Sequence, residues 1–298
     1  MAEVLIAGGS GLVGRRLTLL LQQEGHSVSW LSHSGSSSAG VRTYAWNPHL
    51  RTFDSEAFKN AEVVIALSGS NIGDQRWTKS YKKEIIESRT DAASTILQAL
   101  HTTPHRIHSL IAVSATGYYG DRDDDVMTEE SGPGHGFLSD TVQQWEAAYQ
   151  TSPVRTVLLR AGVVLTPNGG ALPQLVRLLQ FGICPVTGTG YQHLSWIHID
   201  DLCRQFIFAA THHTLSGVYN AVSPVPLKLN LFMKVLRKEL SPRAIRIAVP
   251  GFLIRLFLGE RSALVLEGAK VSPSKIMLAG YRFQFTDLAH AIRNLYGR

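Results

Sequence analysis

From Glu3 onward the chain alternates short apolar runs with longer stretches in which apolar residues recur every three or four positions. "EVLIAG" reads as a buried strand, residues 12–24 as a helix and "SVSWL" as a second strand ending near Ser32. After the "SHSGSSSAG" loop come the strand "RTYAW" and the strand "AEVVIALSG". A long helix follows over about 78–101, then the buried strand "IHSLIAVSA", a helix over about 138–150 and the strand "RTVLLRAG". Strands alternating with helices across short turns predict an α/β fold, a Rossmann-type doubly wound parallel sheet.

Beyond Gly162 the pattern loosens. Pro and Gly punctuate "TPNGGALP", "CPVTGTG" and "VSPVPL", and helices are expected over 201–211 and 227–240. The terminal "TDLAHAIRNLYG" is a helix with Thr286 and Asp287 as candidate N-caps. The expected division is a Rossmann domain over 1–165, its sheet receiving later segments near 190–222, and a smaller, mainly substrate-side lobe over 166–298.

Composition narrows the function classes. With 298 residues, 44% hydrophobic and 17% charged, the chain is globular. Cys184 and Cys203 are too few for a disulfide framework and fit a reducing compartment. The N-terminus enters a strand at once, and "IAVPGFLIRLFLGE" is broken by Pro250 and Arg255 and too short to span a bilayer. The expectation is a soluble, non-membrane protein, cytoplasmic by its lack of signals, with the mitochondrial matrix left open by its basic charge. The net charge of +6 is scattered over helical faces, which argues against nucleic acid as a partner and leaves part of it for a basic cleft.

"AGGSGLVGRR" places Gly8, Gly11 and Gly14 after a strand and at the start of a helix. Glycines there permit a tight turn and let backbone amides approach a pyrophosphate, so Gly8, Gly9, Ser10, Gly11, Leu12, Val13 and Gly14 are candidate dinucleotide-binding residues. About twenty residues later an acid would hydrogen-bond the 2′-hydroxyl of NAD. Here stand Leu31, Ser32, His33 and Ser34. Without that negative charge the reading is NADP, with Ser32, His33 and Arg15 as candidates for the 2′-phosphate.

The glycine turn, "ALSGSNIGDQRW", "ESR", "SATGYYGD", "WE", "LLRAGVVL" and "SWIHIDDL" together resemble the short-chain dehydrogenase/reductase superfamily, in its atypical, extended, epimerase-family branch, often labelled cell-division-inhibitor-like. "LGERSALVLEGAKVSPSKIMLAGYRFQFTDLAHAI" is similar to the small C-terminal domain of unknown function of that branch, here 245–298. The resemblance implies that Leu67, Ser68 and Gly69 pass near the cofactor. It also makes Arg76, Trp77, Lys82 and Arg160 candidate cofactor contacts.

The same resemblance implies a catalytic Tyr and, four residues on, a Lys, with a Glu four residues later. Matching that Glu to Glu146 in "GFLSDTVQQWE" puts Leu138 and Val142 on the two positions, and neither transfers a proton. Ala115 falls on the usual Ser/Thr position, between Ser114 and Thr116. The candidate catalytic residues are therefore Ser114 and Tyr118; Tyr119 reads as structural, and Asp121, Asp123, Asp124 and Asp125 as a solvated loop.

His101, His105 and His108 have metal-like spacing, but Pro104 interrupts their helix, and no metal is expected. Trp196 and His198 are candidates for the pocket lining. Two main functions compete: an NADP(H)-dependent oxidoreductase acting on a small molecule with an atypical site, and an NADP(H)-binding redox sensor without turnover. Nucleotide-sugar epimerisation is a third reading. Homodimers through the two long helices are common in the wider superfamily, and the sequence leaves such a homodimer open here.

Overall fold

The computed structural model describes residues 2–33 and 40–297; Ser34, part of the loop read for the 2′-phosphate, lies outside them. An eight-stranded sheet forms the centre, in the order Gly217–Ala221, Arg155–Ala161, Ser109–Ala115, Val63–Ala66, Glu3–Ala7, Ser27–Ser32, Arg42–Asn47 and Thr52–Phe53. Every pairing is parallel except the last. From Glu3–Ala7 the chain winds first to one side and then to the other. This doubly wound, Rossmann-like arrangement opens a crevice at the strand C-termini beside Glu3–Ala7 and Val63–Ala66.

The apolar runs are explained by burial on both faces. Val4, Ile6, Val63 and Ile65 join the core containing Leu17 and Leu21 of helix Leu12–Gln23 and Leu202 and Phe206 of helix Ile199–Thr211. The intervening Leu5, Ala7, Val64 and Ala66 join the opposite core, with Ala93 and Ile96 of helix Lys79–Thr102. Thr78 caps that long helix by accepting from the Tyr81 N–H at 3.2 Å.

A third core gathers the later elements. Helices Ala171–Gln180, Leu229–Leu240 and Leu288–Tyr296 contribute Leu172, Phe232, Leu236 and Ile292 to it. Asp287 caps the last helix through the His290 N–H at 2.8 Å. The helix expected over 201–211 starts earlier, at Ile199. Its cap is His198, whose Nδ1 accepts from the Asp200 N–H at 3.1 Å. Asp201, fully buried, accepts from the Gln284 and Phe285 amides and the Tyr281 hydroxyl, tying the C-terminal segment to the sheet layer.

Among the described residues no helix is long and apolar enough to cross a membrane. On the two long helices proposed for pairing, outward positions such as Lys83, Glu84, Asp140 and Gln144 are polar. Large exposed apolar side chains lie elsewhere, among them Phe252, Leu256 and Phe257 on helix Gly251–Leu258.

Candidate functional site

The glycine turn is built by close approach. Gly8 takes φ +86°, and a Cβ there would stand 2.9 Å from the Ser68 nitrogen. At Gly9 a Cβ would stand 2.3 Å from Cδ1 of Trp30, which is itself held by donating to Thr18 Oγ1 at 2.9 Å. The turn closes as Gly11 N–H donates to the Gly8 carbonyl at 3.1 Å, and helix Leu12–Gln23 begins with no side-chain cap. Ser10, Gly11 and Leu12 are exposed. Uncapped amides at the positive end of a helix, in a cradle that added side-chain carbons would fill, fit a dinucleotide pyrophosphate.

Leu67 and Ser68 form the facing side of that cradle, through Ser68 N and the Leu67 carbonyl. Leu31 is 3% exposed and belongs to the core, so only its backbone can face a ligand. Ser32 is half-buried and His33 exposed at the end of its strand, and neither brings a carboxylate.

A cavity of about 550 Å³ opens at the C-terminal edge of the sheet. Ala115, Thr116, Ala161 and Gly162 form its floor, and helix Phe137–Ala147 forms one wall through Leu138, Val142 and Trp145. These three recur at helical spacing on a single face. A Cβ at Gly117 would be 3.5 Å from Leu138 Cβ, so nothing bulky intervenes. The wall that would carry a Tyr and a Lys is therefore apolar.

The structure does not bring the expected catalytic and nicotinamide-side residues to this cavity. Ser114 is 2% exposed and donates its hydroxyl to Glu146 Oε1 at 2.5 Å. Arg160 is also buried: Nε and Nη2 donate to the two Glu146 oxygens at 2.8 and 2.7 Å, and Nη1 donates to the Tyr119 hydroxyl at 3.0 Å. Its guanidinium is spent on Glu146 and leaves no fork for a nicotinamide. Tyr118 lies beneath that guanidinium, 3.4 Å from ring centre to Cζ, and is absent from the cavity wall. Tyr119 donates to Asn220 Oδ1 at 2.7 Å, and burial pushes its phenol up.

Arg76, Trp77 and Lys82 face the C-terminal lobe. Lys82 pairs with Glu260, Arg261 donates to the Gly73 carbonyl, and a Cβ at Gly259 would be 3.7 Å from Arg76 Nη2. Trp77 lines the cavity, donates its indole N–H to the Ile72 carbonyl at 2.9 Å and packs edge-on against Phe137. Residues 259–264 are thus clamped over the cavity mouth by the loop and helix that the sequence assigned to the cofactor.

Other expectations also move. Asp124 is exposed yet not simply solvated: its carboxylate accepts from Lys228 and meets His193 Nε2 at 2.7 Å, and the His193 bond, with Lys228, holds it down at about 2. Trp196 is fully buried and donates to the Val225 carbonyl, away from the cavity. His198 lines a second cavity of about 570 Å³ with Arg15, Arg16 and Asp200, where Arg16 and Asp200 form a two-bond ion pair at 2.6 and 2.8 Å. Among the described residues no three His, Cys, Asp or Glu side chains converge as metal ligands.

Arg89, within "ESR", is a cavity residue that the sequence pattern does not single out. Its signal was a charge on the inward stripe of Tyr81, Ile85 and Ala92. Thr116 is the second omission. Its hydroxyl reaches the Ala161 carbonyl only at 3.4 Å, which leaves it the least committed hydroxyl on the floor.

The profile of the NAD dependent epimerase/dehydratase family matches residues 4–221, and that of a domain of unknown function, DUF1731, matches 249–295. A Mycobacterium leprae protein described as an epimerase family protein is 32% identical over 98% of this chain and 94% of its own. The chloroplastic epimerase family protein SDR39U1 homolog of Arabidopsis thaliana is 33% identical over 97% of this chain and 85% of its own. The crystal structure of human epimerase family protein SDR39U1 (isoform 2) with NADPH superposes with a TM-score of 0.89 at 28% identity, covering 99% of both chains.

Proposed function

Because the chain belongs to the NAD dependent epimerase/dehydratase family and carries the DUF1731 domain, we propose that it is an NADP(H)-dependent oxidoreductase acting on a small carbonyl compound held in the 550 Å³ cavity. The observation that carries this reading is the cradle: Gly8 and Gly9 have no room for a Cβ, and the helix behind them opens with uncapped amides. A strand end without a carboxylate at Ser32 and His33 favours a 2′-phosphate. The NADPH held by the similar human protein is in accord with this.

When bound, the nicotinamide supplies or accepts the hydride. The residues of the chain then bind and orient. The Thr116 hydroxyl is placed to hydrogen-bond a substrate oxygen from the floor, while Leu138 and Val142 keep water off the facing wall. That wall carries no titratable group, so the balancing proton comes from another part of the lining, where His135, His193, Glu260 and Glu267 stand, or from solvent.

The apolar wall favours a second reading, a redox sensor that binds NADP(H) without turnover. Nucleotide-sugar epimerisation has less support, since it needs the proton-transferring Tyr whose place Leu138 takes. The solved sugar-nucleotide epimerases at 12–16% identity share the fold alone. The deciding experiment is a carbonyl-substrate panel followed by NADPH oxidation. Turnover lost on Thr116→Val supports the oxidoreductase, whereas tight NADPH binding with no turnover across the panel favours the sensor.

A further inference from the structure

Among the described residues Arg89 is a cation without a counter-charge. It stands mid-helix in Lys79–Thr102, half-buried, and lines the cavity. Of its five N–H groups, the structure gives one an acceptor: Nη1 donates to the Ile85 carbonyl at 2.8 Å. Its remaining neighbours are the Trp145 ring, 5.0 Å from Cζ, and the Tyr81 phenol. Among the described residues no carboxylate pairs with it, although nine acids elsewhere do find Lys or Arg partners, down to exposed Glu56 with Lys59.

A partly desolvated guanidinium in that position is costly unless something answers it. Burial brings Arg89 down to about 10, so it remains cationic at neutral pH while losing hydration. Its place in the fold narrows what the answer is. A Cβ at Gly69 would stand 3.1 Å from the Arg89 Cζ, and Gly69 directly follows Ser68, the residue against which Gly8 closes. The guanidinium therefore sits where the glycine turn meets the cavity. Trp145, over which it lies, shares the helix face of Leu138 and Val142. That apolar wall thus has one positive charge laid across it from the neighbouring helix.

We propose that Arg89 is the anion-receiving residue of this cavity, its free N–H fork taking a phosphate or carboxylate group of the bound small molecule. The proposal rests on the cavity being the ligand site. A planar fork matches both anions in two-bond geometry, which a Lys would not reproduce. The anion is either the phosphate next to the nicotinamide ribose or an acidic group on the substrate, and the two sources can be separated.

The test is calorimetry on the full chain and on Arg89→Gln and Arg89→Lys, with four probes: NADPH, reduced nicotinamide mononucleotide, 2′,5′-ADP and succinate. The expected result is a loss of roughly tenfold or more for Arg89→Gln, a smaller loss for Arg89→Lys and no change for 2′,5′-ADP, which carries only the adenine end. Loss with NADPH and the mononucleotide assigns the anion to the cofactor; loss with succinate alone assigns it to the substrate. If Arg89→Gln melts like the parent and binds every probe within about twofold, the proposal is overturned. Should Arg89→Gln fail to fold, Arg89→Lys decides, and unchanged affinities overturn it. A parent protein that binds succinate through Arg89 but not NADPH removes the cofactor reading and keeps this one. NADPH binding, with every probe indifferent to Arg89, does the reverse. A parent that binds none of the probes sinks both.

Discussion

Arg160 and Glu146 meet through two hydrogen bonds, at 2.8 and 2.7 Å, with both side chains largely buried. The strand Arg155–Ala161 supplies one partner and helix Phe137–Ala147 the other. Ser114 adds a third bond to the same carboxylate. The pair locks that helix, and with it the apolar cavity wall, to the sheet.

Glu146→Gln leaves a buried guanidinium unanswered, and removing one partner of a buried pair typically costs about 3–5 kcal/mol. Denaturant unfolding should show a loss in that range. Because neither residue lines the cavity, NADPH affinity should change by less than about threefold. A variant as stable as the parent would mean that the network contributes little.

Gly9→Ala forces a methyl group against Trp30. Overpacking of this kind costs about 1–3 kcal/mol, and relief requires the turn to move. We expect a lowered melting temperature together with a drop in NADPH affinity of roughly tenfold or more. Reduced stability with unchanged affinity would show that the turn is structural only.

His198 gives the fold a pH dependence. Burial holds its imidazole down at about 4, against the opposing pull of Asp200, and its ring stacks on Phe285 at 3.8 Å. An unfolded His titrates near ~6.5, so between there and about 4 the unfolded chain binds a proton that the folded one refuses. This contribution is fully favourable above about pH 6.5 and is lost as pH falls, at up to ~1.4 kcal/mol per pH unit. His198→Asn keeps an acceptor for the Asp200 N–H and cannot titrate. Urea midpoints from about pH 7.5 down to about 5 should fall more steeply for the parent than for the variant; equal slopes would refute the assignment.

The Lys82–Glu260 pair is partly exposed, so Glu260→Gln should cost less than about 1 kcal/mol. Its effect should be local. Faster amide exchange across 259–264 without a change in global stability is the expected signature of a loosened clamp. Unaltered exchange would mean that the Arg261 bond to Gly73 suffices.

What was readable from sequence depended on range. The glycine turn, the Asp287 cap and the strands announce themselves within a few residues, because backbone conformation and burial on both faces act locally. The site is assembled from partners far apart in the chain. Arg160 stands at a strand end that suggests a cofactor contact, and nothing nearby in sequence reveals that Glu146 on another element takes its Nε and Nη2 and Tyr119 its Nη1. Lys82 and Arg76 were placed at the cofactor because residues 259–261, which they face, lie almost two hundred positions away. Arg89 was legible in principle, as a charge on a buried stripe.

The central claim, an NADP(H) site built on the Gly8–Gly14 turn, is tested most directly by calorimetric titration of the full chain with NADPH and NADH. The account predicts that NADPH binds roughly tenfold or more tightly, as a strand end without a carboxylate at Ser32 and His33 requires. Equal or tighter binding of NADH, or no binding of either, would contradict it.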